Sequence, residues 1–247
     1  MARSPVLSAR SASSPLARGG GSTEINIQSD AMFYVDLTDT TGDDEAGSNN
    51  MTVVASPGTT TGPGGTGTTA IEWVRGDNQY MTRATSTIGS SHWDSNDTTL
   101  VCWVYMGLAD PSAYLQLATI MGLKFENASP TGNGMHFVAK SASSGDIKVP
   151  IVADWSMSTW YMLAGGTLLG SNQVWGSLNG GTKSYATLTG GILTGASGTS
   201  IDIGRSAGQT PNWGGRQAYA GVFDRQLSDA ELLHLYNSGS GRAYADL

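Results

Sequence analysis

The feature that most limits the fold of this chain is a succession of short β-type runs, each closed by turn-forming residues. They are Met32–Leu37, Met51–Ala55, Ala70–Val74, Thr99–Tyr105, Met135–Ala139, Ile147–Ala153, Trp160–Leu163, Val174–Leu178, Ser184–Leu188, Ile201–Ile203 and Ala218–Phe223. Runs of this length and turn density indicate a sandwich or barrel. The 34 glycines supply the turns, and 39 % hydrophobic against 13 % charged residues leaves enough apolar side chains for a core. Thr99–Tyr105 is apolar on both alternating faces, which predicts a strand covered on both sides in the middle of a sheet. Asn179-Gly180-Gly181 tolerates positive φ and predicts a tight hairpin between its flanking runs.

One helix is expected, near the C-terminus. Ser228 and Glu231 have the spacing of a capping box, and Leu227 and Leu232 that of the accompanying hydrophobic staple. Leu232, Leu235 and Tyr236 share a face, and Asn237-Ser238-Gly239 ends the helix. The sequence thus predicts an all-β antiparallel sandwich spanning residues 25–247, with one short C-terminal helix. Residues 1–24, rich in Ser, Ala, Arg, Pro and Gly, show no period and predict an extended arm.

Charge narrows the partners. The first 22 residues hold Arg3, Arg10 and Arg18 and no acid, leaving ten basic against 20 acidic residues, a charge of −10, on the remainder. An acidic body with few lysines argues against a nucleic-acid partner, because phosphate neutralisation needs clustered cations. Cys102 is the single cysteine and lies in an apolar run, so it reads as a buried inert thiol. The first 22 residues lack the apolar stretch of a secretory signal, and the sequence holds no membrane-length apolar span.

The ordered set of elements resembles the LamG-like jelly-roll family of the concanavalin A-like lectin/glucanase superfamily. The residues carrying the resemblance are Met32-Phe33-Tyr34-Val35, Gly76-Asp77-Asn78-Gln79-Tyr80, Val101-Cys102-Trp103-Val104, Trp160-Tyr161-Met162-Leu163, Ile201-Asp202-Ile203-Gly204 and the ending Ala220–Glu231. The resemblance implies the jelly-roll sandwich, but the family hosts many functions. Its glucanase branch places a Glu-x-Asp-x-Glu run on one strand. No such run exists here: Glu231 reads as a helix cap, and none of Glu45, Glu72 and Glu126 belongs to a Glu-x-Asp-x-Glu pattern, so glycoside hydrolysis is not expected and no catalytic residue is named.

Other motifs read as structure. Gly62-Pro63-Gly64-Gly65-Thr66-Gly67 matches a phosphate-loop pattern, but no helix follows it, so a flexible Gly/Thr loop is expected. His92, His136 and His234 lack metal-like spacing and are expected at the surface or half-buried. No cofactor is expected, although the resemblance leaves calcium open, with Asp43, Asp44, Asp77, Asp94 and Asp97 in loops. Trp93 with Asp94, and Asn212 with Trp213, are the candidate glycan contacts, pairing an aromatic ring with amide or carboxylate groups.

Two functions are carried forward. The first is a non-catalytic structural protein of a virus-like assembly, a bacteriophage capsid decoration, fibre or tail component located in the virion. Its arm would contact other structural proteins, or further copies of a homo-oligomer, through Arg3, Arg10 and Arg18. The alternative is a carbohydrate-binding or adhesion module that recognises host-surface glycans.

Overall fold

The computed structural model describes residues 25–65, 67–84, 95–106, 112–117, 120–128, 132–152, 155–192, 200–205 and 214–247. The segment 1–24, expected as an arm, lies outside them. Among the described residues two antiparallel sheets pack face to face, as the sequence indicates.

The first sheet contains β1 (Ala31–Asp36), β3 (Gly58–Thr61), β4 (Thr69–Trp73), β6 (Thr98–Met106), β11 (Trp160–Leu168), β12 (Gln173–Leu178), β13 (Ser184–Thr187) and β15 (Gly215–Phe223). Its order is β13-β12-β11-β6-β15-β4-β3. β4 pairs with Gly215–Gln217 of β15, and β1 pairs with the stretch from Tyr219 to Phe223. The second sheet contains β2 (Thr52–Val54), β5 (Tyr80–Ala84), β7 (Ser112–Leu117), β8 (Met121–Ala128), β9 (Gly132–Ser141), β10 (Gly145–Val152) and β14 (Ser200–Ile203), ordered β10-β9-β8-β7-β14-β5-β2. β6 sits at the centre of its sheet, between β11 and β15, where its doubly apolar pattern places it.

Side chains alternate between two apolar clusters. Leu100, Cys102, Val104 and Met106 of β6 enter the core between the sheets, with Phe33, Ile71, Leu115, Phe137, Leu163, Val174 and Val222. Val101 and Trp103 point the other way, into a cluster with Tyr34, Met162, Phe223, Leu232 and Leu235. That second cluster is roofed by α1 (Asp229–Tyr236), whose Ser228 and Glu231 form the expected capping box. Tyr236 stacks on Trp103 with ring centroids 5.5 Å apart. Burial pushes the Cys102 thiol well above its ordinary range, in line with an inert group.

Four strands go beyond the sequence expectations: β3, β5, β7 and β8. The Gly62–Gly67 segment, expected as a flexible loop, joins β3 to β4 in a hairpin, with the Gly62 N–H donating to Thr68 O at 2.9 Å. The β12–β13 pairing is present, but its loop is longer than a two-residue turn. Ladder pairing ends at Gly176 and Ser184 because Asn179 turns aside, its side chain accepting the Met162 N–H at 2.8 Å. Asn179 and Gly180 both adopt positive φ there, and a Cβ on Gly180 would lie 2.9 Å from Leu232 O of the helix.

Two carboxylates near the roof give stability opposite pH dependences. Arg225 holds Glu231 at 2.8 Å and Asp30 at 2.5 Å, and its hydrogen bond lowers the Glu231 carboxyl from 4.5 to about 2. Burial raises the Asp36 carboxyl from 3.8 to about 6, opposed by the Tyr244 backbone N–H and reinforced by Glu45 and Asp246. A carboxyl lowered by folding makes stability fall as pH drops below 4.5 toward 2; one raised by folding makes stability fall as pH climbs from 3.8 through 6. In urea titrations Asp36→Asn should therefore gain stability over the parent on going from about pH 4 to about pH 8. The relative gain should be on the order of 1 kcal/mol, reduced by solvent screening. A pH-independent difference would contradict the assignment.

Candidate functional site

Strand register builds the site. Trp160 of β11 lies opposite Tyr105 of β6, Tyr105 opposite Arg216 of β15, and Arg216 opposite Glu72 of β4. The neighbours Tyr161, Val104, Gln217 and Trp73 face the core side, so the four side chains share the outer face of the first sheet. Gln217 is pinned there, accepting the Trp73 Nε1–H at 3.1 Å and donating to Tyr114 O at 2.9 Å. This anchor sets the alternation that turns Arg216 and Glu72 outward.

On that face Trp160 and Tyr105 are tilted rings with centroids 5.4 Å apart. The Arg216 guanidinium lies 4.8 Å from the Tyr105 ring centre, and its Nε donates to Glu72 Oε1 at 3.3 Å. The Arg216 and Glu72 side chains are 31 % and 47 % exposed, whereas Tyr105 and Trp160 are half-buried and Trp160 packs against the cluster that holds Trp103. Tyr105, Arg216 and Glu72 border an open groove of about 420 Å³, with Val74, Ser158 and the Gly214-Gly215 pair among its walls.

The groove also has an exposed apolar side chain at its wall and a left-handed residue beside it. Val74 is 47 % exposed, and Met157, next to Ser158, is 51 % exposed. Ser158 holds a φ of 58°, in the left-handed region, while its N–H donates to Met106 O at 2.9 Å. Strain of this kind persists where surrounding structure fixes it, and it clusters at ligand sites. Aromatic faces beside an arginine and a carboxylate suit a ligand with both apolar patches and hydroxyl or charged groups. Among the described residues Glu72 is the single carboxylate bordering the groove, and its Oε1 is engaged by Arg216, so they do not form the paired carboxyls, about 5–5.5 Å apart, of a retaining glycosidase.

The glycan contacts expected from sequence, Trp93, Asp94, Asn212 and Trp213, lie outside the described residues, as do Arg3, Arg10 and Arg18. Gly214, which follows Trp213, lines the groove. Of the loop aspartates, Asp44 and Asp97 serve as caps. Asp44 accepts the N–H groups of Tyr34, Ala46 and Asn49 at 3.1–3.2 Å, and Asp97 accepts that of Leu169 at 2.8 Å. Asp43 accepts from Thr41 and Asn50. Among the described residues no group of three His, Cys, Asp or Glu side chains is placed to hold a metal. His136 is buried rather than at the surface, with Nδ1 3.0 Å from Gly134 O. Sequence reasoning missed the Trp160–Tyr105–Arg216–Glu72 row because it depends on the register of four strands distant in the chain.

The fold is an antiparallel β-sandwich of two sheets. No family model matches the chain, and no curated protein matches it. Among solved structures, the chain resembles the binding domain of Paraclostridial Mosquitocidal Protein 1 (TM-score 0.62, 13 % identity), covering 86 % of this chain and 53 % of that one. It resembles domain 4 of AbnA, a GH43 extracellular arabinanase from Geobacillus stearothermophilus, solved with arabinotriose (TM-score 0.61, 15 % identity), covering 83 % of this chain and 97 % of that domain. It also resembles the binding domain of botulinum neurotoxin DC in complex with SialylT (TM-score 0.59, 11 % identity), covering 86 % of this chain and 52 % of that one. The chain thus spans about half the length of the toxin domains and nearly all of the arabinanase domain. At these identities the likeness shows a common sandwich fold.

Proposed function

We propose that this chain is a non-catalytic carbohydrate-binding module whose ligand lies across the Trp160–Tyr105–Arg216–Glu72 row. The observation that carries the reading is that row itself: two adjoining half-buried aromatic side chains and a partly exposed arginine–carboxylate pair, in register across four strands. A sugar presents an apolar C–H face to a ring and hydroxyls to the charged pair, so this surface complements both. The sandwich shared with an arabinanase domain solved with arabinotriose supports the same reading. The assembly reading, a phage decoration, fibre or tail component, gains no support from these likenesses, and the arm it depends on lies outside the described residues.

The test is a glycan array followed by titration calorimetry on the best hits, with and without calcium. Binding with a dissociation constant on the order of 0.1 mM, about 5.5 kcal/mol, is expected for at least one oligosaccharide class. No binding to any glycan at concentrations up to about 1 mM, where even a 4 kcal/mol interaction half-saturates, would overturn the reading.

A further inference from the structure

We propose that the groove selects glycans bearing a carboxylate, the uronate and sialate classes, by end-on pairing with Arg216. The inference rests on the carbohydrate-binding reading and adds the chemical class of the ligand.

Three features of Arg216 carry it. Its Nε edge is occupied by Glu72 at 3.3 Å, and its terminal nitrogens make no hydrogen bond to a described residue. Those two nitrogens form the planar fork that matches a carboxylate with two parallel hydrogen bonds. The fork is also held in place, because the guanidinium lies over the Tyr105 ring and is tethered on its other edge. A pre-positioned arginine loses less conformational freedom on binding than a free one. Gly214 and Gly215 add no side chain to the groove wall they line.

The chain as a whole is acidic, residues 23–247 carrying −10. Screening over about 8 Å at physiological salt limits repulsion from the distant acids, while contacts inside the groove persist. Glu72 opposes the ligand carboxylate, so its charge sets an upper bound on affinity. The sialate and uronate sources share the carboxylate and differ in the sugar that carries it.

The experiment measures the whole chain by titration calorimetry against two acidic probes, 3′-sialyllactose and a galacturonan oligosaccharide, and their neutral counterparts, lactose and a galactan oligosaccharide. In the parent protein at least one acidic probe should bind about tenfold or more tightly than its neutral counterpart, as a charge-assisted bidentate pair requires. Arg216→Gln should remove that preference, weakening acidic binding about tenfold or more beyond any loss of neutral binding, and Arg216→Lys should restore part of it. Glu72→Gln should strengthen acidic binding a few-fold by removing the like charge. Neutral probes binding as tightly as acidic ones in the parent, or an acidic preference that survives Arg216→Gln, would overturn the inference and leave carbohydrate binding standing. Equal loss of acidic and neutral binding in Arg216→Gln, with Arg216→Lys equally inactive, would show that Arg216 only positions Tyr105, and would also overturn it. Failure of every probe to bind would bring down the binding function along with its selectivity.

Discussion

Trp103→Ala is expected to lower stability by about 3–5 kcal/mol, the range for removing a large aromatic side chain from a packed interior. Trp103 is 2 % exposed and projects from the central strand β6 into the cluster that seats α1. Its ring lies parallel to Tyr236, and its Nε1 is 3.2 Å from where a Cβ on Gly241 would stand. Losing the ring leaves a cavity under the helix and takes away the aromatic partner of Tyr236, so neither side can close the gap without moving the capping box and its Arg225 pairing. Urea unfolding followed by tryptophan fluorescence reads the effect. Trp160→Ala, at a half-buried position packed against the same cluster, should cost no more than about 1.5 kcal/mol by the same measurement. A Trp103→Ala loss of that small size would mean that the roof contributes little to the fold.

Replacing Tyr105 and Trp160 together by alanine should weaken glycan binding at least about 100-fold, or about 2.7 kcal/mol, since aromatic anchors dominate small interfaces of this kind. The double change removes both ring faces, and with Tyr105 goes the support under Arg216, so the polar contact loosens as well. Tyr185→Ala is the control. Tyr185 is half exposed, but it sits on β13 at the far edge of the same sheet, and its removal should leave affinity unchanged. If the double variant bound as tightly as the parent while Tyr185→Ala lost affinity, the ligand surface would lie at that edge.

Much of the scaffold was legible in the sequence because local chemistry and final structure agree there. Ser228 and Glu231 announce the helix start that they form, and the doubly apolar Leu100–Tyr105 run lies at the centre of a sheet. The missed strands had weaker local signals. Met121–Ala128 contains Met, Leu, Lys and Glu, which suit a helix equally, and its strand state is set by pairing with β7 and β9. Gly58–Thr61 is polar and continues into glycines, so it reads as a loop until β4 is placed beside it.

The site was harder to read, for a physical reason. Tyr105 looked like one more core residue at the end of an apolar run, since the sequence does not tell where the α1 roof stops. Arg216 precedes the apolar stretch Ala218–Phe223 and carries no motif of its own. The shift in register between Gln217 and Ala220 sends both Ala218 and Tyr219 into the outer cluster while Gln217 stays on the core side, and it also fixes the outward direction of Arg216. The signal that could have raised the row is aromatic residues at a strand end next to lone charged residues on other strands, and it gains meaning only through register.

The most direct test of the account is two-dimensional NMR of the tryptophan indole N–H signals, assigned by single substitution, during titration with a glycan that binds. The account predicts that Trp160 shifts progressively with ligand, while Trp103 and Trp175, buried in the cluster beneath the roof, stay in place. Saturable shifts confined to Trp93 or Trp213, with Trp160 unmoved, would contradict it and return the ligand to the loops first singled out in the sequence.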